Sequence, residues 1–133
     1  MRVILDCIKS SMYAGKTCPP NIIGIGIGGT ADTCMKIAKQ AAVLRPIGSR
    51  HPDTDIAELE QELVDLINSF GIGPMGMGGR SGVLDVHIEY SAAHAAGLPV
   101  AYNAQCWLGR RKVARIGPDG KITYSDFPEW EYR

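Results

Sequence analysis

The chain has 133 residues, 45% of them hydrophobic and 21% charged, and its 14 basic and 14 acidic residues cancel. This length and balance predict one soluble globular domain over residues 1–133. No stretch is basic enough to indicate nucleic-acid binding, and no apolar run reaches the about 18 residues of a membrane span. The four cysteines form no C-x-x-C pair and no secretory signal precedes them, which favours thiols or metal ligands in the cytoplasm over disulfides.

The first predicted helix carries Ile4, Ile8 and Met12 on one face and stops before Gly15. The segment NIIGIGIGG then predicts a short buried strand that runs into a glycine turn, and Thr30 is the expected N-cap of a second helix. That helix is expected to bury a face of mostly small residues, namely Ala31, Cys34, Met35, Ala38, Ala41 and Ala42.

A third helix is predicted from a capping box, Asp55 with Glu58, and ends at Gly71. Its apolar stripe consists of Ile56, Leu59, Leu63, Leu66, Ile67 and Phe70. The segment that follows, GIGPMGMGGRSG, holds six glycines in twelve residues. Such a segment is too flexible for a helix, and its backbone is too polar to lie buried unsatisfied, so we interpret it as a binding loop.

The segment VLDVHIEY alternates in polarity and predicts a half-buried strand with Asp85 and His87 on its polar face. LPVAYNAQC predicts a strand that ends at Cys106, and KVARIGPDGKITYS predicts a hairpin. The expected fold class is therefore α/β (α+β): a mixed β-sheet packed with about three α-helices, and a C-terminal β-hairpin. Residues 125–133 are expected to form a tail that is either docked or loose.

The glycines of the first strand allow a nucleotide-binding interpretation. Gly24, Gly26 and Gly29 fit G-x-G-x-x-G between a strand and a helix. A dinucleotide fold also needs a second buried strand that ends in an acidic residue about 20 positions later. Here that region is VLRPIGSRHPD, which Pro46 and Pro52 interrupt. An anion held by backbone N–H groups at the helix start remains an alternative.

Cysteine and arginine residues suggest a different site. Pro19 biases Cys18 toward an extended conformation, and a thiolate there would sit on a stiff, exposed loop, although a lone cysteine is more often packed. Just beyond Cys106, four cations lie within six residues: Arg110, Arg111, Lys112 and Arg115. This cluster suits either a small dianion or a solvated strand edge.

Several motifs together resemble the alpha part of the iron–sulfur hydro-lyases, the class I fumarate hydratases and L(+)-tartrate dehydratases. The resemblance spans about residues 1–116 and rests on CPPNIIGIGIGGT, LRPIG, GIGPMGMGGRSGVLDVHIE and HAAGLPVAYNAQCWLGRR, which occur in the family's order.

The resemblance implies a [4Fe-4S] cluster that three cysteines hold, of which Cys18 and Cys106 match this chain. It places the third cysteine in an N-terminal portion that this chain does not contain, and it makes His94 the substrate-contacting histidine. Ala92 and Ala93 replace the family's usual Pro-Thr before that histidine. Two further cysteines match no family ligand and are expected to be structural: Cys7 and Cys34. The remaining two histidines are expected at the surface: His51 and His87.

The implied activity is reversible hydration of a C4 dicarboxylate, fumarate or tartrate, with Arg80, Arg110 or Arg111 binding its carboxylates. The implied partners are the remaining alpha portion and a beta subunit or domain in an oligomer, so this chain alone is expected to be incomplete and inactive. Three alternatives stay open: a non-catalytic remnant or folding module of the family, a nucleotide-binding domain, and a zinc site of Cys18, Cys106 and His94.

Overall fold

A computed structural model describes residues 2–106 and 113–125. Its helices are α1 (Arg2–Met12), α2 (Ala31–Leu44) and α3 (Thr54–Ser69), with a short 3-10 turn at Pro74–Gly76. Its strands are β1 (Asn21–Gly28), β2 (Val83–Ser91), β3 (Val100–Gln105), β4 (Val113–Ile116) and β5 (Ile122–Ser125). The expected α+β fold is confirmed, including the C-terminal hairpin of β4 and β5. No helix in this described part combines the length and apolar character needed to cross a bilayer.

The main sheet has the order β2-β1-β3, with β1 in the centre. β1 runs parallel to β2 and antiparallel to β3. The sheet is therefore mixed, as the sequence predicts. This arrangement brings the start of β1 beside the end of β3, and the end of β1 beside the end of β2 and the start of β3.

Helices cover both faces of this sheet. On one face, α1 and α3 pack against β1 and β2 in an apolar core that includes Ile8, Ile23, Leu63 and Ile88. On the other face, α2 lies close to β1, because Gly24 and Gly26 present no side chains there. A Cβ atom at Gly24 would lie 2.0 Å from the carbonyl oxygen of Ala38. The small residues of α2 and the glycines of β1 therefore form one close packing surface.

The predicted face of α2 is confirmed in its centre and wrong at two positions. Cys34, Ala38, Ala41 and Ala42 are buried, whereas Met35 is 67% exposed and Ala31 is also exposed. Thr30 is the N-cap residue, as predicted. The N-cap of α3 is Asp53, whose side chain accepts a hydrogen bond from the N–H of Asp55. The expected capping box of Asp55 with Glu58 is therefore wrong.

The prediction that β2 is half-buried is wrong, because helices cover both of its faces. Asp85 and His87, expected on a polar face, are 1% and 0% exposed. His87 Nδ1 lies 3.1 Å from the carbonyl oxygen of Ala41 in α2, and its Nε2 lies 3.1 Å from Asp85 Oδ2. The assignment of His87 to the surface is therefore wrong. His51 is also mostly covered, with a side chain 10% exposed that contacts the Tyr90 ring.

Polar side chains form hydrogen bonds with the backbone groups at the outer edge of β2. Glu60 of α3 is fully buried, accepts from the N–H of Ile88 at 2.8 Å, and pairs with Arg45 at 2.6 Å. Arg45 also donates to the carbonyl oxygen of Ile88 at 3.2 Å. Asn68 accepts from the N–H of Val83 at 3.0 Å. These contacts take up backbone groups that an exposed strand edge would offer to another chain.

Candidate functional site

Cys18 lies in the loop that enters β1, followed by Pro19 and Pro20, and it is exposed. Prolines have no N–H, so this loop is held through its carbonyl groups. The side-chain amide of Asn21 donates to the carbonyl oxygen of Cys18 at 3.3 Å, and the N–H of Met75 donates to that of Pro19 at 2.8 Å. The thiol therefore stands on a loop whose backbone is fixed on both sides of the Cys18–Pro19 bond.

Cys106 comes to the same end of the sheet through the strand register. β3 pairs with β1 so that Gln105 lies opposite Ile22, and Cys106 is the next residue along the chain. Cys18 lies in the loop just before β1, close in sequence to Ile22. Cys106 is partly buried and Cys18 is exposed. The antiparallel pairing of β1 with β3 thus brings two thiols that are distant in sequence to one end of the sheet.

The glycine-rich loop between α3 and β2 lies against this end, as the contact between Met75 and Pro19 shows. Met75 itself has φ 56°, a left-handed conformation that residues other than glycine seldom adopt. Arg80 is exposed in the same loop. It lines a cavity of about 470 Å³ at the end of α3 together with Asp65 and Asn68. Arg110 and Arg111 lie outside the described residues.

His94 lies at the opposite end of the sheet, in the connection from β2 to β3. β2 ends at Ser91, which pairs with Gly28, the last residue of β1. His94 is exposed, and its Nδ1 accepts from the N–H of Ala96 at 3.1 Å. β3 advances about 3.3 Å per residue, so its six residues separate the two ends by about 17 Å. The described geometry therefore groups Cys18 with Cys106 and leaves His94 apart.

The two cysteines expected to be structural occupy different environments. Cys34 is 1% exposed and its thiol donates to the carbonyl oxygen of Gly26 at 3.1 Å. Burial raises the pKa of this thiol, which disfavours the thiolate that binds metals. Cys7 is partly buried and lines a cavity of about 460 Å³ with Lys16 and Tyr102. Burial also raises the pKa of Tyr102, whose hydroxyl lies 2.8 Å from that of Ser11.

Two backbone donors of the glycine turn after β1 are already used within the chain. The N–H of Gly28 donates to the carbonyl oxygen of Pro99 at 2.8 Å, and the N–H of Gly29 donates to that of Ala92 at 3.2 Å. Gly24 and Gly26, the first two glycines of the fingerprint, lie under α2. The glycines therefore serve helix packing and strand connection, and a nucleotide site of the G-x-G-x-x-G type is not favoured.

One buried charged cluster has no counterpart in the sequence predictions. Burial opposes ionisation of Asp85, but hydrogen bonds from His87, from the N–H of Gly48 and from Arg50 outweigh it and lower the pKa of Asp85 to about 2. The Gly48 and Arg50 contacts measure 2.6 and 2.8 Å. The cluster joins the loop after α2 to β2. Because Asp85 and His87 are closed to solvent, it is a structural network.

The sulfur atoms of Cys18 and Cys106 are suitable ligands for a soft metal or an iron–sulfur cluster, but they are only part of the ligands such a group needs. Two thiols at one sheet end provide sulfur ligands. Within residues 2–106 and 113–125, no group of three or more His, Cys, Asp or Glu side chains is arranged to hold a metal ion. The zinc site of Cys18, Cys106 and His94 therefore finds no support. Two thiols could supply only part of the ligands of such a group.

The sequence matches known proteins over most of its length. A family model described as fumarate hydratase (Fumerase) matches residues 1–115. The chain is 56% identical over 119 residues to the "Putative L(+)-tartrate dehydratase subunit alpha" of Methanocaldococcus jannaschii, a match that covers 90% of this chain and 41% of that protein. It is 43% identical over 109 residues to the L(+)-tartrate dehydratase subunit alpha of Escherichia coli strain UTI89, covering 82% of this chain and 36% of that protein. It thus spans about two fifths of the length of these relatives. The chain belongs to the fumarate hydratase (Fumerase) family.

Proposed function

We propose that this chain is part of a [4Fe-4S]-dependent hydro-lyase that reversibly hydrates a C4 dicarboxylate, in the fumarate/malate or the tartrate reaction. Its family membership supports the reaction class. The observation that supports the proposal is the strand register, which puts Cys18 and Cys106 at the same end of the sheet. A cytoplasmic location is part of the proposal, since free thiols persist in a reducing compartment.

Cys18 and Cys106 are the residues of this chain that would hold the cluster, with the third cysteine supplied from outside it. When bound, a cluster with one iron lacking a protein ligand supplies a Lewis acid for the hydroxyl that leaves the 2-hydroxy dicarboxylate. The contribution of this chain is to present two sulfur ligands from a tied loop and a strand end. A fixed spacing between ligands lowers the entropy lost when the metal group binds.

The remaining proposed roles concern the substrate. Arg80 is proposed to bind a carboxylate from the glycine-rich loop, and Arg110 and Arg111 are proposed to do so from the segment after Cys106. His94 is proposed as the substrate-contacting histidine. His94 and the cysteines lie at sheet ends about 17 Å apart, farther than a C4 dicarboxylate extends, so the geometry of this chain does not support the role, which is proposed from the resemblance alone. The role therefore needs a measurement separate from metal binding.

The proposed partners follow from the relatives. Both are named as alpha subunits, and this chain spans about two fifths of each. We propose that the missing alpha portion and a beta subunit complete the site in an oligomer. The isolated chain should then be inactive, since two cysteines cannot replace three ligands.

The test is anaerobic reconstitution with iron and sulfide. The 133-residue chain is assayed alone and together with the missing alpha portion and the beta subunit taken from a tartrate dehydratase relative. We expect a brown chromophore and hydratase or dehydratase turnover only in the assembly. A colourless, inactive assembly would favour a non-catalytic remnant or folding module of the family. Robust turnover by the chain alone would contradict the ligand count.

A further inference from the structure

Asn21, the first residue of β1, is polar and yet completely buried. It is 0% exposed, between the loop of Cys18 and the first apolar residue of the strand. A buried amide is costly unless its donors and acceptor are satisfied. Its hydrogen bonds therefore show which part of the molecule it stabilises.

The side-chain bonds of Asn21 go to the cysteine loop. Its Nδ2 donates to the carbonyl oxygen of Cys18 at 3.3 Å, and its Oδ1 accepts from the Thr17 hydroxyl at 3.0 Å. Its backbone N–H donates to the carbonyl oxygen of Gly82, the last residue of the glycine-rich loop, at 3.1 Å. Asn21 thus joins the loop that precedes β1 to the loop that precedes β2.

The glycine-rich loop completes the same arrangement from its other side. The N–H of Met75 donates to the carbonyl oxygen of Pro19 at 2.8 Å. Met75 keeps a left-handed backbone at φ 56° although its side chain is 66% exposed. Burial of its side chain therefore does not hold this conformation. Backbone hydrogen bonds do: the bond of Met75 to Pro19 and the turn bonds within the loop, such as that from the N–H of Gly78 to the carbonyl oxygen of Ile72 at 2.8 Å.

We propose that Asn21 is a positioning residue for Cys18: it acts with the backbone N–H of Met75 to fix the Cys18–Pro19 segment where its thiol faces the same group as Cys106. This inference rests on the proposed function, which makes both cysteines ligands. Asn21 is fully buried and bonds to the backbone of the cysteine, so its proposed role is exerted through that backbone. Its expected effect is on the approach of two thiols to one ligand, since preorganised groups react together faster than mobile ones.

The test uses the metal-free chain and dibromobimane, a reagent that becomes fluorescent once both of its bromomethyl groups have alkylated thiols. Cys18→Ser and Cys106→Ser identify the signal that needs both cysteines. We expect Asn21→Ser to slow this double alkylation about tenfold, the effect of losing one to two net hydrogen bonds. Thr17→Val, which removes only the hydroxyl that orients the amide, should give a smaller decrease in a chain that folds.

Amide hydrogen exchange gives a second readout. In Asn21→Ser we expect faster exchange at Met75, with exchange at Ile25 and Ile88 in the sheet unchanged. Asn68→Ser is the matched control, because Asn68 also binds backbone beside the glycine-rich loop, by accepting from the N–H of Gly82 at 2.8 Å. It should lower the melting temperature and leave the rate of double alkylation unchanged.

The outcomes separate this inference from the proposed function. If the wild-type chain gives no fluorescence that depends on both cysteines, the two thiols do not share a site, and the proposed ligand pair is overturned together with the inference. If the wild type becomes fluorescent and both Asn21→Ser and Thr17→Val do so at the wild-type rate, the inference alone is overturned. An equal decrease in Asn68→Ser would also overturn it, because general loss of stability would then explain the effect.

Discussion

Glu60 in α3 accepts a hydrogen bond from the backbone N–H of Ile88 in β2 at 2.8 Å, although a carboxylate without solvent is costly to bury. Arg45 makes this burial possible by pairing with both carboxylate oxygens, at 2.6 and 3.2 Å. One acidic side chain therefore joins a helix, a loop and a strand edge.

Replacement of Glu60 should be strongly destabilising. Glu60→Ala leaves the N–H of Ile88 without its acceptor and removes the 2.6 Å pair of Arg45, whose pair with Glu89 at 3.4 Å remains. Loss of one partner of a buried pair costs about 3–5 kcal/mol. Denaturant unfolding measures the change. Glu58→Ala, on the exposed face of the same helix, should change the free energy of unfolding by less than about 0.5 kcal/mol. Similar losses in both variants would contradict the role of Glu60 at the strand edge.

A methyl group on the central strand should disrupt the contact with α2. In Gly26→Ala the new Cβ would lie 2.1 Å from the carbonyl oxygen of Cys34, so the helix must move away. We expect a loss of about 3 kcal/mol or more in unfolding free energy. Gly97→Ala is the control, because no heavy atom lies within 4 Å of its added Cβ. A Gly26→Ala chain as stable as the wild type would show that α2 does not pack closely on β1.

Stability should depend on pH through Asp85. Its pKa of about 2 in the folded chain lies below the value of about 3.9 for an unfolded aspartate, so its ionisation favours folding above about pH 4. This contribution, about 2.5 kcal/mol for two pKa units, is lost as the pH falls toward 2. Denaturant unfolding between pH 5 and pH 2, roughly the range of this transition, should show a weaker pH dependence in Asp85→Asn. Asp6→Asn, whose side chain is 70% exposed, is the control. An Asp85→Asn profile parallel to that of the wild type would be inconsistent with this assignment.

The two cysteines at the sheet end should be needed for iron, and the others should not. In the reconstituted assembly, Cys18→Ser and Cys106→Ser should each abolish the chromophore and reduce bound iron to background, because thiolates supply the sulfur ligands. Cys7→Ser is the matched control and should retain full iron content, since Cys7 lines a separate cavity beside Tyr102. Iron analysis gives the answer without an activity assay. Loss of iron in Cys7→Ser alone would require another ligand assignment.

His94 should affect turnover and not metal content. Its place at the far end of the sheet predicts that His94→Asn retains the chromophore and the iron of the assembly. The proposed substrate contact predicts a decrease in kcat of about 10²-fold or more. Steady-state kinetics and iron analysis of the same preparation test both statements. Loss of iron would contradict the separation of His94 from the cysteines, and unchanged kcat would remove His94 from the reaction.

Periodicity predicted the helices well and the environment of β2 poorly. The face of α1 and the stripe of α3 follow from apolar spacing alone, and Ile8 and Leu63 are indeed fully buried. In β2, the alternation of Asp85 and His87 with apolar residues is the pattern of a solvated face. Periodicity cannot reveal that the carbonyl oxygen of Ala41 and the N–H of Gly48 satisfy these groups from distant parts of the chain.

The sequence points to the proposed ligands but not to the residues that support them. Cys18 and Cys106 stand in motifs that the sequence shows, and the strand register supplies their common location. Asn21 follows the two prolines directly, yet an asparagine at a strand start gives no signal that it is buried. Its importance depends on Thr17 and on the glycine-rich loop, whose contacts appear only in three dimensions.

The central position of β1 has a consequence for synthesis of the chain on the ribosome. Of the strands that the structure describes, β1 is made before the others, but both of its partners follow only after α2 and α3. At about 5–20 residues per second, the apolar residues Ile22, Ile23 and Ile25 wait several seconds for their first partner strand. During this interval an unpaired apolar strand can associate with other nascent chains. Association of nascent chains during this interval should therefore lower the yield of folded protein at high expression.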